Sequence, residues 1–449
     1  MGQPSVEKFG YKQELRRGLS FADLVIYGLI FMVPIAPFGV YGEVMVGSKG
    51  MVALAYLIGM IGMIFTALSY ARMSEEFPLS GSVYNFVGRG INQHLGFIAG
   101  WLILLDYILV PTLMYVVSAA ALGGVMPGVP AGVWIVLFVI VNTIINYLGI
   151  EMTARTNRIF LIFELIVLVI FLVIGITAIA KGVNSATFSF DPLYNPDNFS
   201  MNLVLGAVSI AVLSFLGFDA ISTLSEESKG GPKAIGRSMI VSLLLVGVLF
   251  IVQTWVAALI FPDFEAFSDI DTAFYETAEV AGGKWLGVLT AVATALAWGI
   301  ADALVAQAAI SRVLFSMARD RKLPKFLAKV HPKYQTPHMS TLLVAIVSVI
   351  LGFVFIGGID TLATLVNFGA LSAFLLLNVS VFYHFIIKKK RGDYWNYLIL
   401  PFIGFIIIGF VWINFASLTK ILGMSWLVIG IIIAIILATR GKDTTMNID

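Results

Sequence analysis

The 449 residues are 59% hydrophobic and 12% charged, with a mean hydropathy of +0.96, whereas a soluble domain carries about 25% charged residues. The net charge of +2 says little by itself, because any asymmetry that matters here lies across a membrane rather than in the total. No cysteine is present, which excludes disulfides, thiol catalysis and cysteine-ligated metals.

Twelve apolar runs follow one another, at 21–44, 50–71, 95–122, 131–150, 159–180, 202–225, 239–261, 285–318, 339–357, 359–387, 396–416 and 421–439. A helix needs about 20 apolar residues to cross a hydrocarbon core about 30 Å thick. The polar start of the chain, with Glu7, Lys8, Lys12, Glu14, Arg16 and Arg17, is no cleavable signal peptide. The first run is expected to act as its own insertion signal. Neither tail is long enough for a soluble domain, so residues 1–449 read as one transmembrane domain.

The first run contains Tyr27-Gly28-Leu29-Ile30-Phe31-Met32-Val33-Pro34-Ile35-Ala36-Pro37-Phe38-Gly39. Pro34 and Pro37 each remove a backbone donor and clash with the preceding turn. The third run carries Asp106 followed by Tyr107, with Pro111 a turn later, and the fifth carries Glu164. The sixth holds Ser209, Ser214-Phe215-Leu216-Gly217-Phe218-Asp219 and Ser222-Thr223, a glycine and small hydroxyls around a mid-membrane acid. Singly, the prolines are explained by a kink and the small residues by a packing face. Together they are five runs apart, and an odd separation inverts the second copy. Transporters built from inverted repeats bind substrate at paired helix breaks, where freed amides and carbonyls meet the ligand.

The gap after the seventh run is acidic (Asp263, Glu265, Asp269, Asp271, Glu276, Glu279), and the eighth run places Trp298 one turn from Asp302. Acid and aromatic on adjacent turns suit an ammonium, through a salt link and a cation–π contact. Asp106, Glu164, Asp219 and Asp302 lie deep in their runs with no lysine or arginine at similar depth. A charge there costs about 2.5–3.5 kcal/mol on insertion scales. These acids must be protonated, hydrogen-bonded, or paired with a cationic ligand or coupling ion.

Lysine and arginine divide 24 to 4 between alternate gaps, counting Arg312 with the gap that follows the eighth run; Lys49, Lys181, Lys284 and Lys420 are the minority. The positive-inside rule then puts both termini in the cytoplasm. His94, His331, His338 and His384 sit in or near those same basic gaps, which speaks against a histidine relay or a histidine-ligated metal. No nucleotide loop, metal-ligand pair or nucleophile elbow appears, so no catalytic residue, cofactor or metal is expected. The basic run Lys388-Lys389-Lys390-Arg391 reads as a topology signal, and no nucleic-acid partner is expected.

The chain reads Glu76-Phe77-Pro78-Leu79-Ser80-Gly81-Ser82-Val83-Tyr84 after the second run, then Gly96-Phe97 and Gly100-Trp101. It has Ser225-Glu226-Glu227 and Pro232-Lys233-Ala234-Ile235 after the sixth run, and Ser311-Arg312-Val313-Leu314-Phe315-Ser316-Met317-Ala318-Arg319-Asp320-Arg321-Lys322-Leu323-Pro324 after the eighth. These motifs resemble the amino acid–polyamine–organocation (APC) superfamily of permeases over nearly the whole chain. Leu105-Asp106-Tyr107, the 214–219 stretch and Val366-Asn367-Phe368-Gly369-Ala370-Leu371 are most similar to the bacterial putrescine importers.

The resemblance implies an all-α membrane protein of 12 transmembrane helices with a LeuT-like five-plus-five inverted repeat. The repeats span 20–181 and 202–388, followed by helices 11 and 12 over 396–440. It implies broken helices 1 and 6, and substrate held between them and helices 3, 8 and 10. Carried over by residue, the breaks fall at Met32, Val33, Pro34 and Ile35, and at Ser214, Phe215, Gly217, Phe218 and Asp219. Asp219 matches a glutamate of related antiporters of cationic amino acids, and Tyr107 matches a tyrosine expected to line the polyamine site. Amino-acid permeases often show a glycine–serine–glycine stretch at the helix 1 break; here Met32-Val33-Pro34 is bulky and poor in donors, which argues against an α-amino acid. Glu164 sits near a helix 5 lysine that stands in for sodium in many relatives, and is the candidate for ion coupling.

The expectation is a secondary transporter in the plasma membrane of a bacterium that imports a small organic cation, putrescine or another polyamine, by proton-coupled alternating access. Its partners are that small molecule and the lipid bilayer. Asp106, Tyr107, Trp298 and Asp302 complete the expected site. An amino acid or a neutral metabolite such as a thioether sugar are the other substrate readings. An intramembrane enzyme or a channel is the reading from another class.

Overall fold

The computed structural model describes residues 19–78, 82–148, 150–225, 228–319, 323–334 and 336–439. Leu79-Ser80-Gly81, Glu226-Glu227, Asp320-Arg321-Lys322 and both tails lie outside the described residues. No strand is present among the described residues; a single parallel bridge pairs Leu19 with Ser228.

The first apolar run is three pieces rather than one helix: α1 (Phe21–Met32), a 3-10 turn (Ala36–Gly39) and α2 (Tyr41–Gly47). Ser20 and Asp23 form a capping box that starts α1. Its end is set by Val33 at φ 48°, a backbone region that a β-branched residue seldom occupies. Pro34 follows and offers no amide with which to continue the helix. Next come α3 (Val52–Glu76), α4 (Ser82–Gly90), α5 (Gln93–Val125), α6 (Ala131–Leu148) and α7 (Ile150–Ala180). The short helix α4 was not anticipated from hydropathy, because it lies in the gap after the second run.

The sixth run is broken as well. Helix α8 (Met201–Ala211) tightens into a 3-10 turn (Val212–Phe215), and a second 3-10 segment (Phe218–Leu224) follows Gly217. Gly217 has φ 109°, and its missing Cβ is where the Phe31 ring packs, so both backbone and space require glycine. Then follow α9 (Gly231–Ile260), α10 (Ala273–Gly282) in the acidic gap, and α11 (Lys284–Leu296). A π-helical segment (Ala297–Asp302) joins α11 to α12 (Ala303–Arg319). The chain ends with α13 (His338–Val354), α14 (Ile359–Phe382), α15 (Leu400–Ile413) and α16 (Ser417–Thr439).

Among the described residues, eleven helical runs are long and apolar enough to cross a membrane. The run expected at 339–357 is the shorter helix α13, with 17 residues, or about 26 Å at the α-helical rise. Burial divides the set. The apolar windows of α5 and of the broken sixth run are both 89% buried, while those of the α15 and α16 runs are 22% and 17% buried. The first pair therefore forms the core and the last pair a peripheral layer with its apolar face outward, as lipid requires. Helix α14 crosses α5 closely because Gly369 has no side chain; a Cβ there would come within 2.7 Å of the Leu102 carbonyl. That crossing lies beside Asp106 and helps fix it at the centre of the molecule.

Candidate substrate cavity

The two breaks, the middle of α5 and the eighth run line one cavity. Nine of the residues expected from sequence line it: Met32, Val33, Asp106, Tyr107, Ser214, Gly217, Asp219, Trp298 and Asp302. Three carboxyls thus converge on one space, from α5, the sixth run and the π segment. No lysine or arginine lines it.

Asp219 is 3% exposed. It lies in the first turn of the second 3-10 segment, and its carboxyl sits beside the backbone amides of Gly217 and of Asp219 itself, with the Tyr107 and Tyr70 hydroxyls facing it. The Tyr107 hydroxyl donates to Oδ2 at 3.4 Å. These donors point at the Asp219 oxygens. Asp106, one residue before Tyr107 on α5, lies close enough to Asp219 to interact electrostatically, and its Oδ1 has no hydrogen-bond partner.

Across the cavity, Asp302 Oδ1 and Trp298 Nε1 are buried without partners. Trp298 is wedged against the first broken run, where a Cβ on Gly39 would stand 3.3 Å from its ring. Glu164 does not line the cavity. It lies behind Asp302 on α7, within electrostatic reach of it, 2% exposed and with Oε2 unpartnered.

The breaks offer little to a ligand carboxylate. In the first, Pro34 and Pro37 carry no N–H, the Ala36 amide donates to the Val33 carbonyl at 2.8 Å, and the Phe38 amide donates to the Ile35 carbonyl at 2.9 Å. The Pro34 carbonyl accepts from Gln253 Nε2 of α9 at 3.0 Å. In the second, the Leu216 amide donates to Leu213, and the amides beside Asp219 face its own carboxyl. The Ser209 carbonyl accepts from Asn367 Nδ2 of α14 at 2.6 Å. Both breaks are therefore held by buried amide side chains from neighbouring helices.

Pro34, Ile35, Phe215 and Phe218 do not line the cavity. Phe215 packs on Tyr56 and Phe250, and Phe218 on Tyr70 and Phe374. Leu216 is extended and Gly217 has φ 109°, so the 3-10 period is interrupted between the two phenylalanines and packing into the core sets where each ring points. Phe31, Ala36, Val110, Met114, Leu213, Leu216, Ala306 and Ala309 line the cavity but were not singled out from sequence. Helical spacing carried part of the signal: Val110 and Met114 stand one and two turns after Asp106, and Ala306 and Ala309 repeat the face of Asp302. In the acidic gap after the seventh run, half-buried Asp271 is held above its ordinary value by burial, and then by Asp269 and Asp360. No group of potential metal ligands occurs among the described residues.

A sequence model described as amino acid permease matches residues 20–438. The low-affinity putrescine importer PlaP of Escherichia coli (strain K12) is 33% identical over 429 residues, covering 93% of each chain. The branched-chain amino acid permease BcaP of Bacillus subtilis is 28% identical, over 94% of this chain and 93% of its own. The methylthioribose transporter of Bacillus subtilis is 26% identical, over 94% and 92%.

Proposed function

This chain belongs to the amino acid permease family of the amino acid–polyamine–organocation superfamily, and on that premise we propose that it imports a small organic dication of the putrescine type. It is a multi-pass membrane transporter and not an enzyme. The proposed architecture is the twelve-helix, LeuT-like inverted repeat, with α13 as the ninth crossing, both termini in the cytoplasm and the plasma membrane of a bacterium as its location. Alternating access would proceed around the broken first and sixth runs.

The observation that carries the substrate reading is the pairing of donors and acids in the cavity. The amides at the second break face the Asp219 carboxyl, while Asp106 and Asp302 keep an unpartnered oxygen each. A carboxylate-bearing ligand finds its amides taken and meets three acids. An ammonium finds acceptors. A diamine also fits the layout, since Asp106 and Asp219 stand together and Asp302 comes from the π segment with Trp298. The apolar residues between them, Val110, Met114, Leu213 and Leu216, suit a methylene chain. Proton coupling is assigned to Glu164. A carboxyl buried beside Asp302 can take up or release one proton as substrate charge arrives, which biases one facing state over the other.

Uptake into proteoliposomes tests the substrate. Putrescine should compete for transport at least about a hundredfold better than its acetylated monoamine form, leucine or serine, since a site built for a polar group rejects analogues that leave it unpaired. Equal competition by leucine or methylthioribose would move the protein to the neutral-substrate branch of the family.

A further inference from the structure

Two residues of the cavity, Trp298 and Asp302, lie on one irregular stretch, the π segment Ala297–Asp302. A π turn holds one residue more than an α turn, so it rotates everything beyond it by about 100° about the helix axis. Such a turn needs support, because its carbonyls no longer meet the regular i+4 donors. Helix α6 supplies a donor. Asn142 is fully buried, and its Nδ2 donates to the Gly299 carbonyl at 2.7 Å and to the Tyr115 hydroxyl of α5 at 3.2 Å. Its Oδ1 has no partner, so the two donated bonds are what the side chain contributes. One turn along α6, Asn146 holds the straight helix beyond the π segment, donating to the Leu304 carbonyl at 3.0 Å and to Gln307 Oε1 at 2.8 Å. Gln307 Nε2 donates in turn to Thr143 at 2.9 Å. Gly299 is also packed tightly, since a Cβ there would lie 2.7 Å from Ser118 Oγ.

We infer that Asn142 is a positioning residue for substrate specificity: it holds the π turn at Gly299, and thereby sets which face of the eighth run, with Trp298 and Asp302, is turned into the cavity. The inference rests on the proposed function only in taking those two residues as substrate contacts. Asn142 touches neither the cavity nor, by this reading, the substrate. Replacing it lets the turn revert toward a regular helix. The face carrying Asp302, Ala306 and Ala309 then rotates out of the cavity.

The chain has no cysteine, so single thiols report helix facing without background. Ala306→Cys, Ala309→Cys and Val110→Cys are each labelled with a small maleimide, with Asn142 intact and in Asn142→Leu. At the first two positions the rate should fall about tenfold in Asn142→Leu, as expected for a thiol turned from the cavity wall into a helix contact. At Val110→Cys, on α5, it should not change. Asn142→Gln, which keeps the amide, should restore much of the rate. If Asn142→Leu does not fold, Asn142→Thr replaces it, because its hydroxyl bonds its own helix and spares α6. Unchanged labelling at Ala306→Cys in a folded variant overturns the inference. So does an equal loss in Asn146→Leu, which would mean general loosening of the α6–α12 contact. Labelling needs no substrate, so its outcome stands whether or not the diamine competition succeeds.

Discussion

Replacing Asp219 by asparagine removes one charge from the best-held carboxyl of the cavity while keeping its size. The wild-type side chain is 3% exposed, accepts from Tyr107 at 3.4 Å, and is faced by the Gly217 and Asp219 amides and the Tyr70 hydroxyl. In Asp219→Asn the carbonyl oxygen can keep some of these donors, but the new amide group meets donors rather than acceptors. That mismatch costs the protein some stability of its own, and the lost charge is felt by the ligand ammonium. A hydrogen bond to a charged group contributes about 1.5–3 kcal/mol. At about 1.4 kcal/mol per decade, that is a loss of affinity of roughly ten- to a hundredfold for putrescine. The assay is equilibrium binding of labelled putrescine to purified protein, with thermal unfolding as the check on folding. Leucine or serine, lacking the second ammonium, should show no comparable loss. Putrescine affinity within about twofold of wild type, in a variant that still unfolds cooperatively, would refute the reasoning and leave Asp219 a structural residue of its own 3-10 segment.

Glu164→Gln, which mimics the protonated acid behind Asp302, should keep putrescine binding and downhill exchange but lose acceleration by an inward proton gradient. Uptake that still concentrates substrate with unchanged pH dependence would clear Glu164 of a coupling role. Gly217→Ala forces a side chain onto a φ of 109° and into the Phe31 ring. Strain of that kind costs about 1–3 kcal/mol, visible as a lower unfolding midpoint together with impaired transport. Asp271 is raised above the usual carboxylate range, so its ionisation costs stability as pH rises through that raised value. The unfolding midpoint of Asp271→Asn should gain on wild type as pH climbs from about 4 toward neutral, and a constant difference would show that Asp271 is not responsible. Tags beside Lys49 and Lys181 should be reachable from outside cells and tags on either terminus only from inside. An externally reachable carboxyl terminus would break the assigned topology.

Much of this protein is written in properties that vary along one dimension. The length of each apolar run and the alternation of basic gaps depend only on how residues partition into lipid and on which side positive charge remains. Both interruptions are legible in the same way. Pro34 and Pro37 lack amides, and Gly217 supplies the one residue type free to take φ 109° against Phe31. The four mid-membrane acids stand out from sequence alone because nothing basic shares their depth. The folded chain decided which of them share a space. Asp106, Asp219 and Asp302 meet in one cavity, while Glu164 stands behind it. It also turned Phe215 and Phe218 into the core and brought Val110, Met114, Ala306 and Ala309 to the cavity wall. Facing is predictable only while a helix keeps its period, and at the 3-10 turns of the sixth run and the π segment of the eighth that period changes. At those points packing and hydrogen bonding set direction: Phe31 against Gly217, and Asn142 beneath Gly299. Residues more than 150 positions apart in the chain, such as Asn142 and Gly299, set the geometry there, and no local pattern in the sequence records it.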